Sequence, residues 1–216
     1  MKTLKKILIT VFSVASLFAA GHVAAQAGAT EAPDVLVKRI SSDVLASAKA
    51  DKRVQNGDIK QIRALVESRI MPYVDFNRTT ALTVGPHWRK ATPQQKEQLM
   101  REYRELLIHT YSGAIAQIKD QQLQFRPFRA DTSATDVVVF SKVIQTGGRE
   151  PIELNYRLQK QASGWKIYDI NVLGAWLIQT YKGTFNTEIN KSGIDGLIKV
   201  LKSKNQTLSR SKAPRK

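Results

Sequence analysis

A chain of 216 residues without one cysteine is closed to thiolate catalysis, to cysteine-ligated metal and to a disulfide framework. Its formal charge of +16 points first to nucleic acid, but the distribution of charge argues against that partner. Three positive charges lie in the first 25 residues and seven follow Ile198 with no acid among them; residues 26–198 hold 24 basic and 18 acidic groups, a mixed net +6.

Lys2, Lys5 and Lys6 precede an apolar run from Ile7 to Ala20, and both Val23-Ala24-Ala25 and Ala25-Gln26-Ala27 fit a small-x-small cleavage site. The run is short of the ~20 residues that span a bilayer, so residues 1–25 are expected to be a cleaved secretory signal. The remainder is long enough for one domain with a real core, expected over residues 26–205. The end, residues 206–216, is rich in Ser and Lys and is expected to be a basic disordered tail. No later stretch is apolar enough to cross a membrane, which implies a protein that stays soluble after export, without stable membrane insertion.

Asp34 is a candidate cap for a helix reaching about Lys49, with Val35, Leu36, Ile40, Val44 and Leu45 as its apolar stripe. Asp58 reads as the next cap, ahead of Ile59, Ile62, Leu65, Val66 and Ile70; Pro72 ends that helix. Asp75 opens a third, short helix ending near Gly85. The clearest start is Thr92-Pro93-Gln94-Gln95, a Thr cap with Pro at the first helical position and Gln at the third. The helix it opens continues through Leu99, Tyr103, Leu107, Tyr111 and Ile118.

From Leu123 the period changes to two. Leu123–Phe128 is a first strand and Val137–Ile144, apolar on both faces, a central one. Ile152, Leu154, Tyr156 and Leu158 alternate with Glu153, Asn155, Arg157 and Gln159. A fourth strand carries Trp165, Ile167, Tyr168, Ile170 and Val172, and Gly174 marks the change to a helix bearing Trp176, Leu177, Tyr181 and Phe185. Helices first and strands later make the fold class α+β, with N-terminal helices packed on a four-stranded antiparallel sheet and C-terminal helices closing it.

Residues with chemistry are few. His22 leaves with the signal, and neither His87 nor His109 has an evident nucleophile beside it. No HExxH, G-x-S-x-G or phosphate-binding glycine loop occurs. Asp169, inside an apolar strand, could be an edge residue, a partner for an arginine, or a base in a cavity. The apolar faces of helices and sheet form either an ordinary core or a cavity for an apolar ligand, and periodicity alone does not separate the two.

Pro151-Ile152, Tyr156-Arg157-Leu158, Gly164-Trp165-Lys166-Ile167-Tyr168-Asp169-Ile170, Gly174, Tyr181 and Gly193-Ile194-Asp195-Gly196-Leu197-Ile198 resemble the MlaC family of toluene-tolerance proteins. Pro72-Tyr73-Val74-Asp75, Gly85, Trp88 and Ala91-Thr92-Pro93-Gln94-Gln95 extend the resemblance upstream, so that it covers about Asp34 to Asn205. It implies a cone-like, curved sheet of the nuclear-transport-factor-2 kind and an apolar pocket for acyl chains. It also implies a periplasmic glycerophospholipid carrier working between an outer-membrane lipoprotein complex and an inner-membrane ABC transporter complex, which maintains outer-membrane lipid asymmetry. Such a carrier is expected to be a monomer, with no enzymatic activity, no cofactor or metal and no nucleic-acid partner.

Facing and apolarity nominate Tyr103, Leu107, Tyr111, Val139, Leu154, Tyr156, Leu158, Ile167 and Trp176 as lipid-binding residues, with Arg157 as a headgroup neighbour. The chain departs from the family's usual Glu-Gly-small-Ser at Leu173-Gly174-Ala175-Trp176, so Trp176 is expected to narrow or reshape the pocket. It departs again at Thr180-Tyr181-Lys182, where Asn-Tyr-Arg is usual. Two alternatives stand beside the phospholipid carrier: a carrier for a hopanoid-type lipid, and a small-molecule enzyme of the same cone-like fold using Asp169. A cavity too small for an acyl chain would favour a solid structural adaptor.

Overall fold

Helix α1 (Pro33–Ala50) begins with proline in its first turn, where the missing N–H has no helical partner to lose. Asp34 is not its cap; it lies in the first turn, facing the positive end of the helix dipole, 3.7 Å from Lys38. One-turn α2 (Lys52–Gln55) leads to α3 (Ile59–Arg69), where Asp58 accepts from the Lys60 and Gln61 amides as a cap should. Asp75 likewise caps α4 (Phe76–Val84) by accepting from the Arg78 amide. In α5 (Pro93–Ala116) both halves of the capping box form: Gln95 N–H donates to Thr92 Oγ1 at 3.2 Å, and Thr92 N–H to Gln95 Oε1 at 3.0 Å. The computed structural model that gives these elements describes residues 31–131 and 133–211; the expected signal segment lies outside them.

Among the described residues the sheet is antiparallel and has six strands rather than four: β1 (Gln122–Phe125), β2 (Asp136–Val139), β3 (Ser141–Ile144), β4 (Ile152–Gln161), β5 (Gly164–Val172) and β6 (Ala175–Trp176). Their order is β1-β3-β4-β5-β6, with β2 also on β4. The expected central strand breaks at Phe140. Before the break Val137 and Val139 pair with Leu158 and Tyr156; after it Val143 pairs with Ile152 and Leu123. The sixth strand arises because Leu173 and Gly174 both take left-handed dihedrals, φ 54° and 85°, making a two-residue hairpin out of what reads as a strand-to-helix joint. Between β4 and β5, Arg157 pairs with Asp169 but Leu158 with Ile167, so Tyr168 is the extra residue of a bulge.

Helix α6 (Leu177–Ser211) is broken at Gly193, whose φ of 73° and ψ of −178° belong to a region open essentially to glycine alone. It reaches beyond the expected domain end. Asn205 Nδ2 donates to the Glu102 carbonyl and carboxylate at 2.9 and 3.1 Å, and Leu208 packs on the helical core. Residues 206–211 are therefore helix, correcting the expectation of disorder; residues 212–216 lie outside the described range.

Two main apolar clusters result. One joins α4, α5 and α6 through Val84, Leu99, Tyr103, Leu106, Phe185, Leu197, Ile198 and Leu201. The other lays Leu36, Val37 and Ile40 of α1 on Val137, Val139, Tyr156, Leu158 and Ile167 of the sheet. Among the described residues no helix is long and apolar enough to cross a membrane.

Candidate functional site

Where the two clusters meet, their packing is incomplete. A cavity of about 50 Å³ is lined by Val74, Phe76 and Thr79, by Leu107, by Tyr168, Asp169 and Ile170, and by Leu177. Phe76 and Leu107 are outlying members of the helical cluster, and Val74 and Ile170 of the sheet cluster, so the cavity follows the seam between layers. The bulge brings β5 into it. The Tyr168 carbonyl accepts from Thr79 Oγ1 at 2.7 Å, and the Asp75 amide donates to the Ile167 carbonyl at 2.8 Å, which fastens α4 to this strand.

The nine expected lining residues do not form one wall. Val139, Leu154, Tyr156, Leu158 and Ile167 come together on the sheet face beneath α1. Tyr156 is buried there with its hydroxyl 3.2 Å from Ser41 Oγ; burial pushes it up to about 12, so it stays neutral. Tyr103 belongs to an aromatic group, its ring 5.6 Å from Phe76, 5.3 Å from Tyr181 and 5.0 Å from Phe185. Tyr111 is half-buried further along α5. Of the nine, Leu107 alone lines the cavity.

Trp176 does not line this cavity either. Its ring lies under the Arg157 guanidinium, 3.9 Å from centroid to carbon. Arg157 in turn donates to Asp169 Oδ2 at 3.2 Å. Asp169 Oδ1 accepts from the Ile170 amide at 3.0 Å and, across the chain, from the Ile178 amide at 3.1 Å, in the first turn of α6. Burial raises the Asp169 carboxyl above the ordinary aspartate range, opposed by the Ile178 amide, Arg157 and the Ile170 amide. With three donors already on it, this carboxylate is a fixture of the helix start.

The cavity residues that sequence reasoning missed, Val74, Phe76, Thr79, Tyr168, Ile170 and Leu177, come from α4, β5, α6 and the segment just before α4, and share no period. Tyr168 had a visible signal in its motif but no indication of its partners. Its hydroxyl donates to Asp136 at 2.9 Å, and Arg78 stacks on its ring at 4.4 Å.

Residues 38–203 match the family described as "MlaC protein". This chain belongs to the MlaC family. Among family relatives, the intermembrane phospholipid transport system binding protein MlaC of Haemophilus influenzae is 23% identical over 172 residues, covering 79% of this chain and 80% of that one. Toluene tolerance protein ttg2D of Pseudomonas putida is 21% identical over 168 residues, 77% of each. The solved phospholipid-binding protein of Ralstonia solanacearum, in complex with a phospholipid, superimposes with a TM-score of 0.78. It is 41% identical to this MlaC-family chain, covering 82% of it and 98% of the solved one.

Proposed function

We propose that this MlaC-family protein is a periplasmic phospholipid carrier that takes acyl chains into the seam between its sheet and its helical layer. The observation that carries the reading is the 41% identity and 0.78 TM-score, over 98% of its length, to a protein solved with a phospholipid. The chemistry is compatible. Tails buried in an apolar site gain roughly 0.8 kcal/mol per CH₂, so two long chains supply on the order of 20 kcal/mol gross, and extraction from a bilayer needs no reaction.

The cavity of about 50 Å³ is well below the ~300 Å³ at which ligand pockets begin, and on volume alone it favours a solid adaptor. A carrier reading therefore requires the two clusters to part along the seam when tails enter. Each cluster is packed within itself, so separation costs contacts only where they meet. Release and exchange with an inner-membrane ABC transporter complex and an outer-membrane lipoprotein complex belong to the same proposal, as does a leader removed on export. Native mass spectrometry of the mature protein is expected to find one or more phospholipids bound. Ligand-free protein alone, under conditions that preserve lipid complexes, would overturn it. Extraction of a hopanoid in place of phospholipid would move the reading to the hopanoid-type carrier.

A further inference from the structure

Phe76 also lines a second depression. A surface groove of about 220 Å³ is lined by Phe76, Glu97, Met100, Arg101 and Arg104. Phe76 is the one residue common to this groove and to the seam cavity. Helix α5 connects the two as well. Met100, Arg104 and Leu107 follow at spacings of four and three, which places them along one face. The first two line the groove and the third lines the cavity. From Met100 to Leu107 the helix rises about 10 Å, on the scale of a glycerophosphate.

The polar rim of the groove is specific in its chemistry. Arg101 uses Nε on Glu102 at 3.2 Å, leaving its terminal nitrogens available, with the side chain 47% exposed. Arg104 faces Glu67 through Nε and one terminal nitrogen, both at 3.4 Å, and is a third exposed. Two guanidinium groups one helical turn apart suit a phosphate: Arg101 can fork its two terminal nitrogens onto it, and Arg104, held by Glu67, adds a charge-assisted bond from its remaining terminal nitrogen. Glu97, one turn before Arg101, puts a carboxylate beside them. A lone anion would be repelled by it; a phosphate followed by an ammonium group meets opposite charge at both ends.

We infer that this groove is the headgroup site and the portal of the carrier. Arg101 and Arg104 take the phosphate and Glu97 the ammonium of an aminophospholipid. Phe76 is the door through which the acyl chains reach Leu107 and the seam. The inference rests on the carrier reading above and adds a place, an orientation and a headgroup preference.

The test uses the mature protein, stripped of lipid and incubated with vesicles of equal phosphatidylethanolamine and phosphatidylglycerol, followed by mass spectrometry of what the re-isolated protein holds. Wild type should favour phosphatidylethanolamine. Arg101→Gln with Arg104→Gln should lower loading of both lipids about tenfold, and Arg101→Lys with Arg104→Lys should recover much of it. Glu97→Gln should lower phosphatidylethanolamine loading, spare phosphatidylglycerol, and so reduce the ethanolamine-to-glycerol ratio roughly two- to fivefold. Phe76→Leu should speed uptake without changing the ratio. Thermal unfolding of each variant confirms folding, and the Lys and Gln pairs keep the assignment testable if one of them does not fold. Wild-type loading and ratio in every folded variant would overturn the groove while leaving the carrier standing; absence of lipid from wild type would overturn the carrier itself. Binding of free glycerophosphoethanolamine as tightly as vesicle lipid would overturn the portal in favour of a soluble-metabolite site.

Discussion

At the scale of single residues, Asp169 shows how a side chain suited to catalysis is taken up by structure. It joins β5 to the first turn of α6, holds Arg157 over Trp176, and lines the seam with its charge already satisfied. Asp169→Ala leaves two buried amides and a guanidinium unpaired and is expected to cost about 2–4 kcal/mol in urea unfolding. Asp169→Asn keeps an acceptor for the amides and is expected to cost clearly less. The pH dependence has a definite sign. The folded state raises this carboxyl, so its contribution to stability is full below the ordinary aspartate range and is lost as pH rises through the folded value. The lead of wild type over Asp169→Asn should therefore shrink between pH 4 and pH 7. A lead that grows with pH would mean that Arg157 and the amides outweigh burial.

At the scale of elements, α6 depends on one dihedral pair. Gly193 turns the chain so that Ile194, Leu197, Ile198, Leu201 and Leu208 return to α5, where Asn205 meets Glu102. Gly193→Ala forces a side chain into a backbone region that only glycine occupies, and is expected to destabilise by roughly 1–3 kcal/mol. The same substitution at exposed Gly183, where helical dihedrals hold, should be neutral or slightly stabilising. What could be read from the sequence follows the same line. Asp58, Asp75 and Thr92-Gln95 announce themselves because a cap is a local interaction between residues two or three apart. The break at Phe140, the bulge at Tyr168 and the hairpin at Leu173-Gly174 depend on which strand lies opposite, and no periodicity records that. Asp34 misleads because the helix starts at Pro33, two residues earlier than an Asp34 cap would place it, with Ala32 at the cap position. The basic composition after Lys199 looks disordered, yet Leu201, Asn205 and Leu208 fall at spacings of four and three, and that buried stripe is what docks the helix.

At the scale of the whole molecule, the lining expected from sequence divides between two cores because apolarity identifies buried residues without saying which layer buries them. Tyr103 and Leu158 are both fully buried, on opposite sides of the seam. At the seam a gap of about 50 Å³ leaves lining atoms without the dispersion partners that a solid core would have supplied. Leu107→Phe puts a larger apolar side chain into that gap from α5, on the one expected lining residue that reaches it. Closing the gap should hold or raise the unfolding temperature of lipid-free protein, as cavity filling commonly does. It should also make the layers harder to part and leave less room for tails, so that lipid co-purifying with the variant falls several-fold. The two readouts must move apart for the seam to be the seat of the acyl chains. Unchanged lipid content in a variant at least as stable as wild type would place the tails elsewhere, most directly against the sheet face under α1.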